Sequence, residues 1–436
     1  MAIQFFYTTL PAFALTVIAI YLLTPIATRA GLVDKPCARK RHSGEIPLTG
    51  GIAIFAGIIC TAMLTSHIST TDKGLFAAAV LLLILGIVDD YRNIPAKFRL
   101  IFQSAAGLII VFASHITLYD FGNLLSLGDI SLGVMAIPAT VFCIVGVINA
   151  MNMIDGIDGL AGGLSIVSLA ALSYLSICAG AAHSQLLLAT LGAVCGFLVL
   201  NARSPIRAKA KIFMGDSGSM VLGCFIAAML IEMSQGPSRS IRPVTALWIF
   251  AIPLMDTTSL IIRRKLKGTS PLSPGRDHIH HILLRCGFNV QQSVTILVFT
   301  SALIAAIGVA GETFNIPDWA MFIGFATLYT GYMWFVMRGW KPLIVNRRRS
   351  KRQEIPNQFI ATINLSYIDS IHNSKHEAKT LPPVEAAIPK ESTRKVPACR
   401  ARTFWSLIRV EPWALAIKGV SFSTRSSARS LALAPA

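Results

Sequence analysis

Long apolar runs, each long enough to cross a lipid bilayer, constrain the fold of this chain more than any other feature. The runs extend over roughly 17–24 residues and carry almost no charge. About 20 residues of helix cross a hydrocarbon layer of about 30 Å. Charged residues make up 14% of the chain, where a soluble domain carries about 25%. The sequence therefore predicts an integral membrane protein, and its spans must be helices because lipid offers the backbone no hydrogen-bond partners.

Eleven runs qualify as candidate transmembrane helices, which predicts an all-α polytopic membrane protein. They cover residues 5–28, 48–67, 74–90, 100–119, 131–150, 159–180, 184–202, 217–234, 243–262, 293–312 and 318–337. Loops on one side contain 18 lysines and arginines, and loops on the other contain only Lys73, Arg239 and Arg242. Because cytoplasmic loops are enriched in Lys and Arg, the first side is predicted to be cytoplasmic. The N-terminus is then periplasmic and the C-terminus cytoplasmic.

The net charge of +18 is concentrated towards the C-terminus. Residues 338–436 contain 18 Lys and Arg against 6 Asp and Glu. A basic stretch beside the last span is typical of a topology anchor that contacts anionic lipid head groups, so membrane lipids are expected partners and nucleic acid is not. The sequence therefore divides into a membrane domain, 1–340, and a basic, largely disordered cytoplasmic tail, 341–436.

Five aspartates lie where predicted spans meet the cytoplasmic side. Asp89 and Asp90 end the third span, Asp155 and Asp158 follow the fifth, and Asp216 precedes the eighth. Carboxylates at the edge of hydrocarbon are costly unless they are paired or bind a metal. One such pair could be explained as ordinary solvated loop residues. Three acidic motifs on one side, two of them flanked by glycine, indicate a functional site instead.

The surroundings of these aspartates favour a hard cation. Oxygen ligands in glycine-containing loops suit Mg²⁺, or alternatively Mn²⁺, bridging carboxylates and substrate phosphates. Asn149 and Asn152 lie one helical turn apart at the end of the fifth span and offer further amide oxygens. The absence of thiols from these loops disfavours zinc.

A long basic loop, 263–292, contains His278, His280 and His281 beside Arg276. Three histidines within four residues next to an arginine indicate an anion-binding site, and a transition-metal site is the alternative. A metal, basic groups and a membrane setting together point to phosphoryl-type transfer with at least one lipid substrate.

A transporter is the competing class. Transporters carry ionisable residues near the middle of the bilayer, whereas these spans are nearly free of charge. The exception is Asp256 in the ninth span, which either reaches the site or bonds a neighbouring helix.

Over about residues 1–340 the chain resembles the polyprenyl-phosphate N-acetylhexosamine-1-phosphate transferase family. The matching segments, in the order of the family, are DKPCARKRHSGEIPLTGG (34–51), GIVDDYRNIPAK (86–97), NAMNMIDGIDGLAGG (149–163), KIFMGDSGSM (211–220) and SPLSPGRDHIHH (270–281). The His-Ile-His-His run favours the branch that uses UDP-GlcNAc over the one that uses UDP-MurNAc-pentapeptide, where three consecutive histidines are usual. The DG…AR…G…D signature of CDP-alcohol phosphotransferases is missing.

The resemblance implies transfer of GlcNAc-1-phosphate from UDP-GlcNAc to undecaprenyl phosphate at the cytoplasmic face of a bacterial inner membrane. The product would prime O antigen, common antigen or a related glycan. Another UDP-N-acetylhexosamine, or UDP-MurNAc-pentapeptide, remains an alternative donor, and a homodimer remains open.

The resemblance also implies roles for individual residues. Asp216 and Asn152 would bind the metal, Asp89 or Asp90 would orient or deprotonate the lipid phosphate, and Lys97 would bind it. Asp155 and Asp158 would face the nucleotide sugar. The expected diphosphate contacts are Arg276, His278, His280 and His281, and the expected nucleotide contacts are Asp34, Lys35, Arg41 and Glu45.

Overall fold

The computed structural model describes residues 2–35, 44–65, 69–181, 184–204, 206–236, 239–270, 275 and 277–340. The predicted tail, 341–436, lies outside the described residues, and so do two predicted site residues, Arg41 and Arg276.

The described chain is almost entirely helical. Its helices are α1 (Ala2–Ala30), α2 (Gly50–Leu64), α3 (Thr70–Arg92), α4 (Ala96–Ala113), α5 (Ala136–Ile154), α6 (Leu160–Cys178), α7 (Ser184–Asn201), α8 (Gly215–Ser234), α9 (Pro243–Ile249), α10 (Ala251–Leu266), α11 (Ile279–Arg285), α12 (Val290–Thr313) and α13 (Asp318–Trp334). A 3₁₀ turn, Gly133–Met135, precedes α5, and a π-helical turn, Phe335–Gly339, follows α13. Two short antiparallel strands, β1 (Val33–Asp34) and β2 (Ile46–Pro47), pair Val33 with Pro47 and Asp34 with Ile46.

Each of the eleven predicted runs coincides with a helix or a pair of helices, which confirms a helical, multi-pass membrane protein. Within the described residues, nine helices are long and apolar enough to cross a membrane, and α9 with α10 makes a tenth if the pair forms one span. The remaining run is α2, a shorter apolar helix of 15 residues.

The ninth predicted run is not one straight helix. α9 and α10 meet at an angle of 85°. Pro253 lies in the first turn of α10, where its ring would clash with the carbonyl of Ile249 if the helix continued from α9. The chain therefore breaks at Phe250, and α10 starts in a new direction.

The fourth helix begins earlier than predicted. It starts at Ala96, directly after Pro95, whose fixed φ suits the residue before a helix. Lys97 and Arg99 therefore lie at the start of α4 rather than in a loop.

α8 is the central helix. In its apolar stretch 94% of the residues are buried, against 17% for the peripheral α13. Helices in lipid gain little from the hydrophobic effect, so they approach closely where small residues meet. A Cβ on Gly86 of α3 would lie 2.2 Å from Cα of Ser217, and one on Gly223 of α8 would lie 2.8 Å from Cα of Ile148 of α5. These contacts bring the acidic ends of α3, α5 and α8 together.

Polar contacts fix the opposite ends of several helices. Arg242, which precedes α9, pairs with Glu312 of α12 at 3.2 Å and with Asp318 of α13 at 3.3 Å. Gln235, after α8, accepts a hydrogen bond from the backbone N–H of Tyr119 at 2.8 Å. The bundle is thus anchored at the end remote from the acidic motifs.

Candidate active site

Asp216 and Asn152 meet where α8 begins and α5 ends. Nδ2 of Asn152 donates to Oδ1 of Asp216 at 2.5 Å and to Oγ of Ser219 at 3.0 Å. Among the described residues no donor reaches the amide oxygen of Asn152. The predicted pair is therefore assembled, with an amide oxygen and a half-exposed carboxylate as open ligands.

Asp90 caps the start of α8. Its carboxylate accepts hydrogen bonds from the backbone N–H of Asp216 at 2.8 Å and of Ser217 at 3.3 Å, and from Oγ of Ser217 at 3.1 Å. Gly215 has φ of +73°, and a Cβ there would lie 2.6 Å from Oδ2 of Asp90. Negative charge at a helix N-terminus is favourable, so Asp90 fixes the direction in which Asp216 projects.

Asp89 is buried and paired with a residue that sequence reasoning missed. Its carboxylate accepts from Nη1 of Arg99 at 2.9 Å and from the backbone N–H of Ile94 at 2.6 Å. The same Nη1 lies 4.0 Å from Oδ2 of Asp216. Arg99 therefore links the two acidic motifs. Its position, two residues after Lys97 at the start of the next helix, was the available signal.

Lys97 lies in the same turn of α4 and is exposed. No hydrogen bond or ion pair joins its amine to another residue in the described part of the chain. The amine is therefore available to an incoming anion.

Asp155 follows α5 directly and differs from its neighbours. No hydrogen bond or ion pair within the described ranges engages its partly exposed carboxylate. Burial first, and then the negative charges of Asp216, Asp90 and Asp158, raise the pKa of Asp155 from 3.8 to about 7. A carboxylate without a partner among like charges is a suitable site for a cation.

Asp158 is held by the connection between α7 and α8. It accepts from Nε of Arg203 at 2.7 Å and from the backbone N–H of Ala210 at 3.3 Å. Next to it, the backbone N–H of Gly159 donates to Oδ1 of Asn201 at 2.8 Å. Asp158 thus fixes the loop between α5 and α6, residues 155–159, which is the acidic loop of this site. Arg203 is a second residue that the motifs did not reveal.

Two other predicted groups have structural partners. Asn149 donates from Nδ2 to Oε1 of Gln103 at 2.6 Å and so joins α5 to α4. Lys35 and Glu45 form an exposed ion pair at 3.4 Å beside the short strands, where Asp34 is buried. Within the described ranges, no hydrogen bond or ion pair joins Lys35 or Glu45 to the five aspartates.

The histidine segment, residues 278–281, packs against the acidic loop. A Cβ on Gly156 would lie 2.4 Å from Nε2 of His280, so the loop and the imidazole are in contact. His280 is 1% exposed, and neither of its ring nitrogens has a hydrogen-bond partner among the described atoms. Burial, followed by the charge of His281, lowers the pKa of His280 to about 3, so its ring is neutral.

The other two histidines flank this ring. His278 stacks on His280 with centroids 5.5 Å apart and planes inclined by 7°, and the centroid of His281 lies 4.2 Å from that of His280. Asp256 does not join the aspartate cluster but pairs with His278 at 2.7 Å. The predicted histidine group is therefore one assembly against the acidic loop.

The donor chemistry fits Mg²⁺. No group of three His, Cys, Asp or Glu side chains forms a complete metal cage in the described chain. Mg²⁺ does not need one, because it commonly binds one or two carboxylates and takes its other ligands from water and substrate phosphates. Asp216, Asn152 and the unpartnered Asp155 offer the oxygen ligands that this mode of binding requires.

Comparison with known proteins decides the family. A model described as glycosyl transferase family 4 matches residues 73–234, which include all five aspartates. The undecaprenyl-phosphate alpha-N-acetylglucosaminyl 1-phosphate transferase of Escherichia coli K12 is 37% identical over 342 residues, covering 78% of this chain and 93% of that protein. The protein of the same name from Haemophilus influenzae is 39% identical over 354 residues, covering 80% and 98%.

This chain belongs to glycosyl transferase family 4. The resemblance inferred from the motifs is confirmed, and the chain is a glycosyl-1-phosphate transferase. The five aspartates of the transferase differ in their contacts. Protein donors hold Asp89, Asp90 and Asp158, whereas Asp216 accepts from Asn152 and stays 35% exposed. Asp155 has no hydrogen-bond partner among the described residues.

Proposed function

We propose that this transferase moves GlcNAc-1-phosphate from UDP-GlcNAc to undecaprenyl phosphate. An oxygen of the lipid phosphate attacks the phosphorus that bears the sugar, the bond to the UMP phosphate breaks, and UMP leaves. The products are undecaprenyl-diphosphate-GlcNAc and UMP. The observation that carries the proposal is the contact of the histidine assembly with Gly156, which directly follows Asp155 in the acidic loop.

Lys97 and Arg99 serve the lipid phosphate. Both lie in the first turns of α4, and the Lys97 amine has no partner in the part of the chain that the structure describes. Arg99 adds a second cation, oriented by the buried Asp89. A phosphate monoester is already partly dianionic near neutral pH, so binding and orientation matter more here than removal of a proton.

Asp216, Asn152 and Asp155 are the residues that would hold Mg²⁺, with Mn²⁺ as an alternative. When bound, the ion would supply positive charge to neutralise substrate phosphate. Asp90 supports this group by fixing the N-terminus of α8, and so it orients Asp216 rather than contacting the lipid itself.

The histidine segment contacts the diphosphate of the donor. His280 is neutral and offers one N–H, and the rings of His278 and His281 both pack against its ring. Asp158, held by Arg203, keeps the acidic loop beneath these rings. Asp34, Lys35 and Glu45 remain the proposed contacts to the nucleotide.

The site faces the cytoplasm of a bacterial inner membrane, where nucleotide sugars are made. With eleven spans, as the apolar runs predict, the excess of Lys and Arg in the loops on the side of the acidic motifs gives a periplasmic N-terminus and a cytoplasmic C-terminus. The lipid-linked sugar then starts an O antigen, common antigen or related envelope glycan.

The test uses membranes that contain the full chain, undecaprenyl phosphate and a panel of radiolabelled UDP-sugars, with and without EDTA. We expect label from UDP-GlcNAc in the lipid fraction, release of UMP, and loss of both with EDTA. No lipid-linked sugar from any donor would overturn the reaction. Transfer from another UDP-sugar alone would overturn the donor, and full resistance to EDTA would overturn the role of the metal.

A further inference from the structure

A buried carboxylate outside the aspartate cluster organises the histidine assembly. Asp256 of α10 is fully buried. It accepts hydrogen bonds from Nδ1 of His278 at 2.7 Å, from the backbone N–H of Ile279 at 2.9 Å and from the hydroxyl of Tyr332 at 2.9 Å. We infer that Asp256, supported by Tyr332, is a positioning residue for the transfer reaction and acts through His278.

The three donors explain why a carboxylate is needed. His278 precedes α11, and Ile279 is the first residue of that helix. One carboxylate therefore fixes both the imidazole of His278 and the N-terminus of the helix that carries His280 and His281. An amide has only one acceptor atom, so asparagine would turn an N–H group towards one of the three donors.

The tautomer of His278 follows from the same contact. Because a carboxylate can only accept, Nδ1 of His278 must donate to it, and the orientation of the ring is fixed. His278 then stacks nearly parallel on His280. A chain of contacts runs from Asp256 through His278 and His280 to Gly156 of the acidic loop.

Asp256 and Tyr332 come from elements whose geometry suits this task. α10 starts after the 85° break at Phe250, which gives the helix bearing Asp256 a direction different from that of α9. Tyr332 lies three residues before the π-helical turn that ends α13, and such turns are frequent at functional sites. Beyond that turn, Arg285 of α11 lies over the ring of Trp340 at 5.8 Å. The end of α13 therefore contacts Asp256, and Trp340 beyond it contacts α11.

The inference rests on the proposed function, because its readout is transfer from UDP-GlcNAc. The test measures kcat and the KM of each substrate for Asp256→Asn and Tyr332→Phe in the purified full chain. We expect kcat/KM for the nucleotide sugar to fall about 10- to 100-fold in Asp256→Asn, as for other partners that orient a functional histidine, and less in Tyr332→Phe. The KM for the lipid stays near that of the native protein.

The chain offers matched controls for both changes. Thr257→Val alters the neighbouring position of α10, and Tyr329→Phe removes a hydroxyl one turn earlier on α13. Both hydroxyls are buried and have no hydrogen-bond partner in the described residues, so both controls are expected to retain native activity.

A double-mutant cycle separates positioning from a general loss of structure. If Asp256 acts through His278, then Asp256→Asn has little further effect in a His278→Gln background. Fully additive losses, equal rises in both KM values, or native kinetics in Asp256→Asn would overturn the inference. A native protein that forms no lipid-linked sugar would count against the proposed function instead, so the two failures are distinguishable.

Discussion

Gly156 lies directly against the imidazole of His280, so closely that a Cβ at position 156 would come within 2.4 Å of Nε2. This contact joins the acidic loop to the histidine segment, although the two are separated by 124 positions in the sequence. The acidic loop therefore meets the histidine segment at a backbone position that has no side chain.

Gly156→Ala tests this contact. The added methyl group must displace His280, and we expect transfer activity to fall by about tenfold or more, because small displacements of catalytic groups are costly. Radiolabel transfer in membranes with matched protein levels measures the change. Gly146→Ala is the control, because a Cβ at position 146 meets nothing within 4 Å. Equal activity of the two variants would contradict the proposed site.

Asp216→Asn should lower transfer by at least about 100-fold, because it removes the charge from a proposed Mg²⁺ ligand. The protein level in membranes should not change, since asparagine can still accept a hydrogen bond from Asn152. Asp129→Asn, an exposed carboxylate in the loop between α4 and α5, serves as the control. Native activity in Asp216→Asn would exclude its role as a ligand.

Lys97→Ala should raise the KM for undecaprenyl phosphate by about tenfold, comparable to the loss of one hydrogen bond to a charged group. The KM for the nucleotide sugar should not change, because Lys97 lies on the side of Arg99 and not beside the histidines. Kinetics with each substrate varied in turn measure both constants. Lys73→Ala provides an exposed lysine outside the site as a comparison, and an unchanged lipid KM would rule out the assignment.

Arg99→Gln should destabilise the protein by about 1–3 kcal/mol, because it leaves the buried Asp89 carboxylate without its cation. Thermal unfolding in detergent measures this loss. Combining it with Asp89→Asn should restore much of the stability, since the unpaired charge is then gone, while activity stays low. If the double variant regained activity as well, the pair would be structural only.

The pH dependence of stability should depend on Asp155. The pKa of Asp155 is about 7 in the folded protein against an ordinary 3.8, so the folded state binds a proton that the unfolded state releases. This contribution to stability is complete below about pH 4 and is lost as the pH rises through about 7. In EDTA, the melting temperature of the native protein should therefore fall across that range.

Asp155→Asn removes this contribution, so its melting temperature should fall less over the same pH range, by roughly a few degrees. Asp129→Asn should keep the pH dependence of the native protein. Parallel curves for the native protein and Asp155→Asn would show that Asp155 does not titrate in this range.

The helices and the identities of the acidic residues were predictable from local patterns. Each apolar run forms a helix or a bent pair of helices, because lipid offers the backbone no other hydrogen-bond partners. The break at Phe250 was not predicted, although Pro253 lies in the middle of the predicted run, because transmembrane helices tolerate proline. The early start of α4 after Pro95 was missed because the apolar run begins only after Lys97 and Arg99.

The sequence by itself determined the family and the membrane class, and it predicted the aspartates, asparagines and histidines of the candidate site. Only the tertiary structure decided what each carboxylate does. Asp90 accepts hydrogen bonds from residues 126 and 127 positions away, Asp89 pairs with Arg99, and Asp256 joins the histidines instead of the aspartates. The role of a buried carboxylate depends on the donors and charges around it, and distant helices supply these only after they have packed.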